Sequence, residues 1–141
     1  MQYVNLGASG LKVSRIALGM MTFGTPAWRP WVLDEAAARP IVRRALELGI
    51  NLFDTADIYG PDNGEAFGAA EQLLGRVLAD APYLRDRFVL ATKGGIEMGT
   101  PYNSSAAYLI KACEASLKRL NVETIDLYQI HGWDSQTPMD E

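Results

Sequence analysis

Three short apolar runs in this chain each end on a titratable side chain, at an almost constant interval. Ile50 to Phe53 runs into Asp54, Phe88 to Thr92 into Lys93, and Ile125 to Ile130 into His131. Asp54 and Lys93 are 39 positions apart, and Lys93 and His131 are 38 apart. Short apolar runs bounded by turn residues read as buried strands. The stretches between them carry helical patterns, so the order is β, α, β, α, β, and repeated βα units imply parallel strands joined by crossover helices. In a parallel sheet or barrel every strand C-terminus lies at one face, and that face holds active sites. The pattern thus predicts that Asp54, Lys93 and His131 converge on one rim, with Tyr59 five residues beyond Asp54 as a fourth member.

The rest of the chain fits around that repeat. QYVNL, GASG and LKV at the start predict a β-hairpin with a glycine-containing turn. Ile16 to Gly19 does not alternate, so it is expected to be a buried strand. Residues 20–33, with two prolines, one glycine and three large aromatics, read as a loop whose Trp28 and Trp31 either contact a ligand or pack over the rim. A helix follows, expected to end at Leu48 with Gly49 as its C-cap and with Ala37, Ile41, Ala45 and Leu48 on one face. Pro40 favours a separate turn over 34–39 with the main helix starting at the proline, the alternative being a kinked helix.

A loop is expected from about Ile58 to Gly64, then a helix ending near Ala79 that buries Leu73, Leu74, Val77 and Leu78. Gly94-Gly95 opens another loop, closed by Asn103-Ser104-Ser105 as candidate caps of a third helix. That helix spaces Ile110, Cys113, Leu117 and Leu120 as a core stripe, which makes Cys113 structural filler rather than a nucleophile.

Composition excludes several classes. The chain has 13 basic and 17 acidic residues, a net charge of -4, which argues against a nucleic-acid partner. The pairs Arg43-Arg44 and Lys118-Arg119 fall on helices and read as solvated faces. One cysteine rules out an internal disulfide framework and suits a reducing compartment. With no secretory-type start and no long apolar run, no membrane span is expected, and the expectation is a cytoplasmic protein. Neither a GxGxxG after the first strand nor a GxxxxGK[ST] occurs.

Each of the four rim residues also has a plain structural reading: Asp54 as a turn cap, Tyr59 as rim packing, Lys93 as a solvated loop residue, and His131 as a bystander beside Gly132. Their joint recurrence at strand ends favours chemistry instead. A tyrosine, with a reference pKa near 10, is a poor proton donor at neutral pH. A neighbouring ammonium favours its phenolate, a carboxylate can hold that lysine, and a histidine can orient a carbonyl oxygen. The set suits protonation of an oxygen on which charge develops, and a hydride donor would complete a reduction. No Ser or Cys nucleophile is paired with His131, and one His with one core Cys leaves too few ligands for a metal site.

At these residues the sequence resembles the aldo-keto reductase family. GINLFDTADIYG (49–60), FVLATKGG (88–95) and SLKRLNVETIDLYQIHGWD (116–134) are similar to the family segments carrying the catalytic aspartate and tyrosine, the lysine and the histidine. LGASGLKVSRIALGMMTFG (6–24) and EQLLG (71–75) are similar to its start and its second-helix motif. The resemblance covers almost the whole chain in family order.

It implies an α/β fold of the (β/α)8 TIM-barrel type, with an N-terminal hairpin closing the barrel bottom. It implies reduction of an aldehyde or ketone by NADPH, with NADH an alternative, and Tyr59 as general acid tuned by Lys93 and Asp54 while His131 positions the carbonyl. Gly19, Met20, Met21 and Asp54 would lie near the nicotinamide ribose, and Trp28, Trp31, Tyr59 and His131 would border a small-molecule carbonyl substrate.

A barrel of this kind takes roughly 250 residues, so 141 residues and four barrel strands are expected to form a truncated N-terminal half, one partial domain over 1–141. The family's adenosine-phosphate site is not among these residues. Open barrel edges would favour self-association, and a catalytically inactive half barrel acting only by self-association or partner binding is the alternative reading.

Overall fold

The computed structural model describes residues 1–60, 67–96 and 102–140. Strands β1 (Tyr3–Asn5) and β2 (Lys12–Ser14) pair antiparallel, as the opening hairpin pattern predicts. β3 (Ala17–Gly19), β4 (Leu52–Asp54), β5 (Val89–Gly94) and β6 (Leu127–Ile130) form one parallel sheet in sequence order. Helices α1 (Glu35–Glu47), α2 (Ala69–Ala79) and α3 (Ala106–Leu120) make the crossovers, and a 3-10 helix over Pro82–Arg87 leads into β5. Consecutive parallel strands with helical crossovers are half of the arrangement that closes into a (β/α) barrel.

Register decides which side chains meet. Phe53 and Leu90 are cross-strand partners, both buried against the helices with Met20, Val42, Leu73, Leu74 and Leu120. Alternation along the strands sends Asp54, Lys93 and Gln129 to the opposite face. On that face Asp54 lies beside Ala91, and Lys93 beside Gln129. The hairpin is tied to the N-terminal end of β4. Asn51 Oδ1 accepts from the Ser14 N–H at 2.6 Å, Asn51 Nδ2 donates to the Lys12 carbonyl at 2.9 Å, and the Tyr3 hydroxyl donates to the Gly49 carbonyl at 2.8 Å.

Four expectations are corrected. The first helix does not begin at Pro40: Asp34 Oδ1 accepts from the Ala37 N–H at 2.9 Å as N-cap, and the helix runs continuously through the proline. A good cap and an apolar face outweigh the one backbone bond that a proline removes. That face is Ala38, Val42 and Ala45: Ala45 is buried as expected, while Ala37, Ile41 and Leu48 are exposed. The third helix buries Ala112, Ser116 and Leu120, leaving Ile110 exposed and Cys113 and Leu117 half-buried. Small side chains win there because α2 and α3 pack closely. A Cβ on Gly75 would stand 2.5 Å from the Arg119 carbonyl oxygen. Finally, β3 is an edge strand of the described sheet with Ala17 and Gly19 exposed, so its apolar run is not a buried one.

The burial expected of Leu73, Leu74, Val77 and Leu78 holds. Ile58 to Gly60 form the turn expected after β4, and the remainder of that loop lies outside the described residues. No helix among the described residues is long and apolar enough to cross a membrane.

Candidate active site

The C-terminal ends of β4, β5 and β6 are stitched together by backbone bonds that fix where their side chains point. Thr55 N–H donates to the Ala91 carbonyl at 2.9 Å, Asp57 N–H to Lys93 at 3.1 Å, and His131 N–H to Gly94 at 2.7 Å. Tyr59 is held in the turn after β4, where its N–H bonds to the Ala56 carbonyl. Its own carbonyl and that of Gly60 accept the N–H groups of Ala70 and Ala69 at 3.1 and 2.9 Å. The first turn of α2 thereby anchors the tyrosine backbone with donors that a helix start otherwise leaves unpaired.

Lys93 is the hub. Its Nζ donates to Asp54 Oδ2 at 2.8 Å, to the Thr55 carbonyl at 2.8 Å and to the Tyr59 hydroxyl oxygen at 3.3 Å. An ammonium has three donors and no acceptor, so these contacts use its full set. Because the lysine can only donate, the tyrosine oxygen is the acceptor in this pair and its own O–H is available to another partner. The His131 ring stands edge-on to the Tyr59 ring, with centroids 5.6 Å apart and planes at 86°. Burial, and next the charge of Lys93, hold the His131 imidazole below the usual histidine range, against an opposing pull from Asp54. The ring is therefore neutral at neutral pH, and its Nδ1 is buried without a hydrogen-bond partner among the described residues.

All four residues marked at the strand ends thus come together. One member escaped the sequence reading. Gln129 Nε2 donates to Asp54 Oδ1 at 3.2 Å, across the sheet face from β6 to β4. Its signal was strand alternation relative to Lys93, which needs the register before it can be read.

The remaining candidates are placed less uniformly. Gly19 is exposed beside Asp54, with open space where a Cβ would stand, and Met21 is also exposed. The Met20 side chain is fully buried in the core, so only its backbone faces the site, and its N–H donates to the Asp54 carbonyl at 2.8 Å. Trp28 and Trp31 pack edge-to-face at 5.7 Å, with the Arg29 guanidinium 5.6 Å from the Trp28 ring centre. Their loop is pinned by the Gly24 N–H to Leu33 and the Leu33 N–H to Thr22 carbonyl bonds, at 2.9 and 2.8 Å. Burial pushes the Cys113 thiol up, which suits a packing role.

The site is an open sheet face. A separate groove lined by Pro82, Arg85, Phe88, Val122 and Asp126 lies at the other, N-terminal end of the strands, away from this chemistry. Among the described residues no cluster of three His, Cys, Asp or Glu could hold a metal ion.

Comparison with known proteins identifies relatives of the whole chain. The sequence profile of the Aldo/keto reductase family matches residues 15–141. A 6-dehydroglucose reductase of Novosphingobium aromaticivorans is 53% identical over 126 residues, which are 89% of this chain and 40% of that protein. An L-glyceraldehyde 3-phosphate reductase of Escherichia coli is 38% identical over 100% of this chain and 39% of its own length. The holo form of an aldo-keto reductase from Bacillus halodurans superposes with a TM-score of 0.80 at 40% identity, covering 100% of this chain and 43% of that one. The chain spans about two fifths of the length of the curated relatives it matches.

Proposed function

The chain belongs to the aldo/keto reductase family of oxidoreductases, and from that premise we propose that its site reduces the carbonyl of an aldehyde or ketone to an alcohol, with Tyr59 as the general acid and NADPH as the preferred nicotinamide cofactor over NADH. The observation that carries the reading is the Lys93 ammonium, which donates to the Tyr59 oxygen at 3.3 Å while Asp54 and the Thr55 carbonyl hold it from behind.

When bound, the reduced nicotinamide supplies a hydride to the carbonyl carbon. The residues around the site fit such a group. The exposed end of β3 at Gly19 leaves backbone approach free, Met21 is exposed beside it, and Asp54 keeps part of its carboxylate open to solvent. Gly19, the backbone of Met20, Met21 and Asp54 would hold its ribose side.

The chain's own residues handle the oxygen. Tyr59 gives its O–H proton to the carbonyl oxygen as negative charge builds there. The Lys93 ammonium, already on the phenol oxygen, stabilises the phenolate that remains. Asp54 and Thr55 keep that ammonium from following the charge elsewhere. His131, neutral at working pH, can donate an N–H to the same carbonyl oxygen without placing a second cation near Lys93. Preorganised donors of this type are worth about 3–4 kcal/mol each when aimed at developing charge.

The substrate reading follows the relatives. A protein with 53% identity over 89% of this chain is named for reduction of 6-dehydroglucose. Trp28 and Trp31 offer flat apolar faces of the sort that a sugar ring's C–H groups can cover. Sugar aldehydes are therefore the first substrates to try.

The test is a fluorescence titration with NADPH followed by turnover of 6-dehydroglucose and simple aldehydes. Saturable binding and NADPH oxidation lost in Tyr59→Phe are expected. Turnover that survives Tyr59→Phe would remove the tyrosine from its role.

A further inference from the structure

The carboxylate of Asp54 has two oxygens and the lysine engages one of them. Lys93 Nζ lies 2.8 Å from Oδ2, and the only donor recorded on Oδ1 among the described residues is the side-chain amide of Gln129, at 3.2 Å. The amide's orientation is fixed by chemistry: an ionised carboxylate accepts only, so the nitrogen of Gln129 must face it. Gln129 reaches Asp54 over a distance of 75 residues in sequence, from the strand two places along the sheet. It is also the direct cross-strand partner of Lys93. One residue therefore flanks both halves of the Lys93–Asp54 pair on the same sheet face.

We infer that Gln129 is a positioning residue for this site, the second clamp on the Asp54 carboxylate that keeps Oδ2 turned to Lys93. The inference rests on the reading of Tyr59 and Lys93 proposed above. A carboxylate gripped at one oxygen can swing about its Cβ–Cγ bond, because that torsion is broad and roughly two-fold. Gripped at both, its plane is set. Lys93 has only three donors, and Asp54 Oδ2 takes one of them, so a swing at Asp54 frees the ammonium to move. The lysine then no longer sits squarely on the Tyr59 oxygen, and small misplacements near reacting atoms cost rate rather than binding.

The neighbours of Gln129 in the sequence do not suggest this role. Leu127, Tyr128 and Ile130 make its strand look like core, and none of the four rim residues is adjacent to it, His131 lying two positions on. A bland reading, in which Gln129 merely fills the sheet face, predicts that an apolar side chain of similar size would serve as well. The two readings part on charge.

The experiment compares Gln129→Leu and Gln129→Glu with the unaltered full chain, by steady-state kinetics from pH 5 to pH 9. Gln129→Leu is expected to lower kcat about tenfold with KM for the carbonyl substrate unchanged. Gln129→Glu is expected to be worse at neutral pH, since two carboxylates then face each other. It should recover as the pH falls, because the introduced carboxyl, once protonated, donates in the amide's place. A Gln129→Leu variant with unaltered kcat, or a Gln129→Glu variant without the acid recovery, overturns the inference.

A second arm needs no turnover. The Gln129 side-chain amide signals in a 1H–15N spectrum should move on Asp54→Ala, while signals from the β1–β2 hairpin stay put. Amide signals that do not move overturn it equally. Loss of activity in Tyr59→Phe together with indifferent Gln129 variants would sink this inference alone. Activity that survives Tyr59→Phe would sink the catalytic reading and leave the spectroscopic arm to decide on Gln129.

Discussion

The Nζ of Lys93 lies 3.3 Å from the Tyr59 hydroxyl oxygen and 4.9 Å from the centre of the same ring, so the ammonium addresses both the oxygen and the π face. Two residues 34 positions apart in sequence are thereby locked into one unit. Tyr59→Phe should remove the proton donor while keeping the ring, its edge-on contact with His131 and the cation over its face. We expect kcat for carbonyl reduction to fall by about 10²–10⁴-fold, the range of a lost general acid. Thermal melts of the two proteins should agree to within roughly 2 °C, since a partly exposed hydroxyl that only accepts one bond contributes little to stability.

Lys93→Met tests the hub. The change keeps the length of the side chain and deletes all three donors. Asp54 loses the cation on Oδ2, the Thr55 carbonyl loses its side-chain donor, and Tyr59 loses the charge that would support its phenolate. The Lys93–Asp54 pair is only partly buried, at 15% and 35% side-chain exposure, so solvent softens the penalty. A stability loss of about 1–2 kcal/mol is expected by urea unfolding, against a loss of activity of about 10²-fold or more. Equal, small losses in both would reduce Lys93 to a structural ion pair.

The parts of this site legible in the sequence were those tied to strand ends. Asp54, Lys93 and His131 announce themselves because an apolar run stops at each, and parallel topology brings such stops together. Gln129 and Asp57 were not legible, because their partners are set by register and by the approach of α2 to the turn after β4. The faces of α1 and α3 were misread for a related reason. Ala36, Ala37 and Ala38 are equally apolar, so periodicity alone cannot choose which faces the sheet. In α3 the choice fell on Ala112 and Ser116, whose smallness matters more than their hydropathy once α2 presses against them. By local propensity Pro40 is a helix breaker, and the Asp34 cap with the burial of Ala38 and Val42 outweighs it.

That close approach makes a sharp comparison of two glycines. A Cβ at Gly75 would lie 2.5 Å from the Arg119 carbonyl oxygen and 2.8 Å from that of Leu120. Both are backbone atoms and cannot swing aside. Gly75→Ala should therefore cost about 2 kcal/mol net, overriding the gain of roughly 1 kcal/mol that alanine brings to a helix interior. At Gly19 the same substitution meets nothing within 4 Å. Gly19→Ala should leave the melting temperature within about 1–2 °C of the parent. If the exposed end of β3 does receive the cofactor, it should weaken NADPH binding several-fold in the fluorescence titration.

Asp57 is the group most out of place electrostatically. It is 7% exposed, its Oδ1 has no hydrogen-bond partner among the described residues, and it faces the fully buried Glu71 of α2 across the turn. From α3 the Arg119 guanidinium bonds Glu71 Oε2 at 2.6 Å, while Cys113 and Tyr108 lie on the same helix; from the sheet Thr92 donates to Glu71 Oε1 at 2.6 Å, and the Tyr128 hydroxyl approaches. Two carboxylates thus share one guanidinium. Burial first, and then the charge of Glu71, push the Asp57 carboxyl up to about 6, against the opposing pull of Arg119 and of backbone N–H groups.

The sign follows from proton counting. Between the unfolded value near 3.8 and about 6 the folded chain holds the proton more tightly than the unfolded one, so stability is lost as pH rises through that window. Asp57→Asn keeps the shape and removes the charge. It should match the parent at pH 4 and exceed it by about 1–2 kcal/mol at pH 8, a rise in melting temperature of roughly 3–6 °C. Melts of both proteins at pH 4, 6 and 8 decide the matter: a gap that fails to open with rising pH would mean that Arg119 neutralises both carboxylates after all.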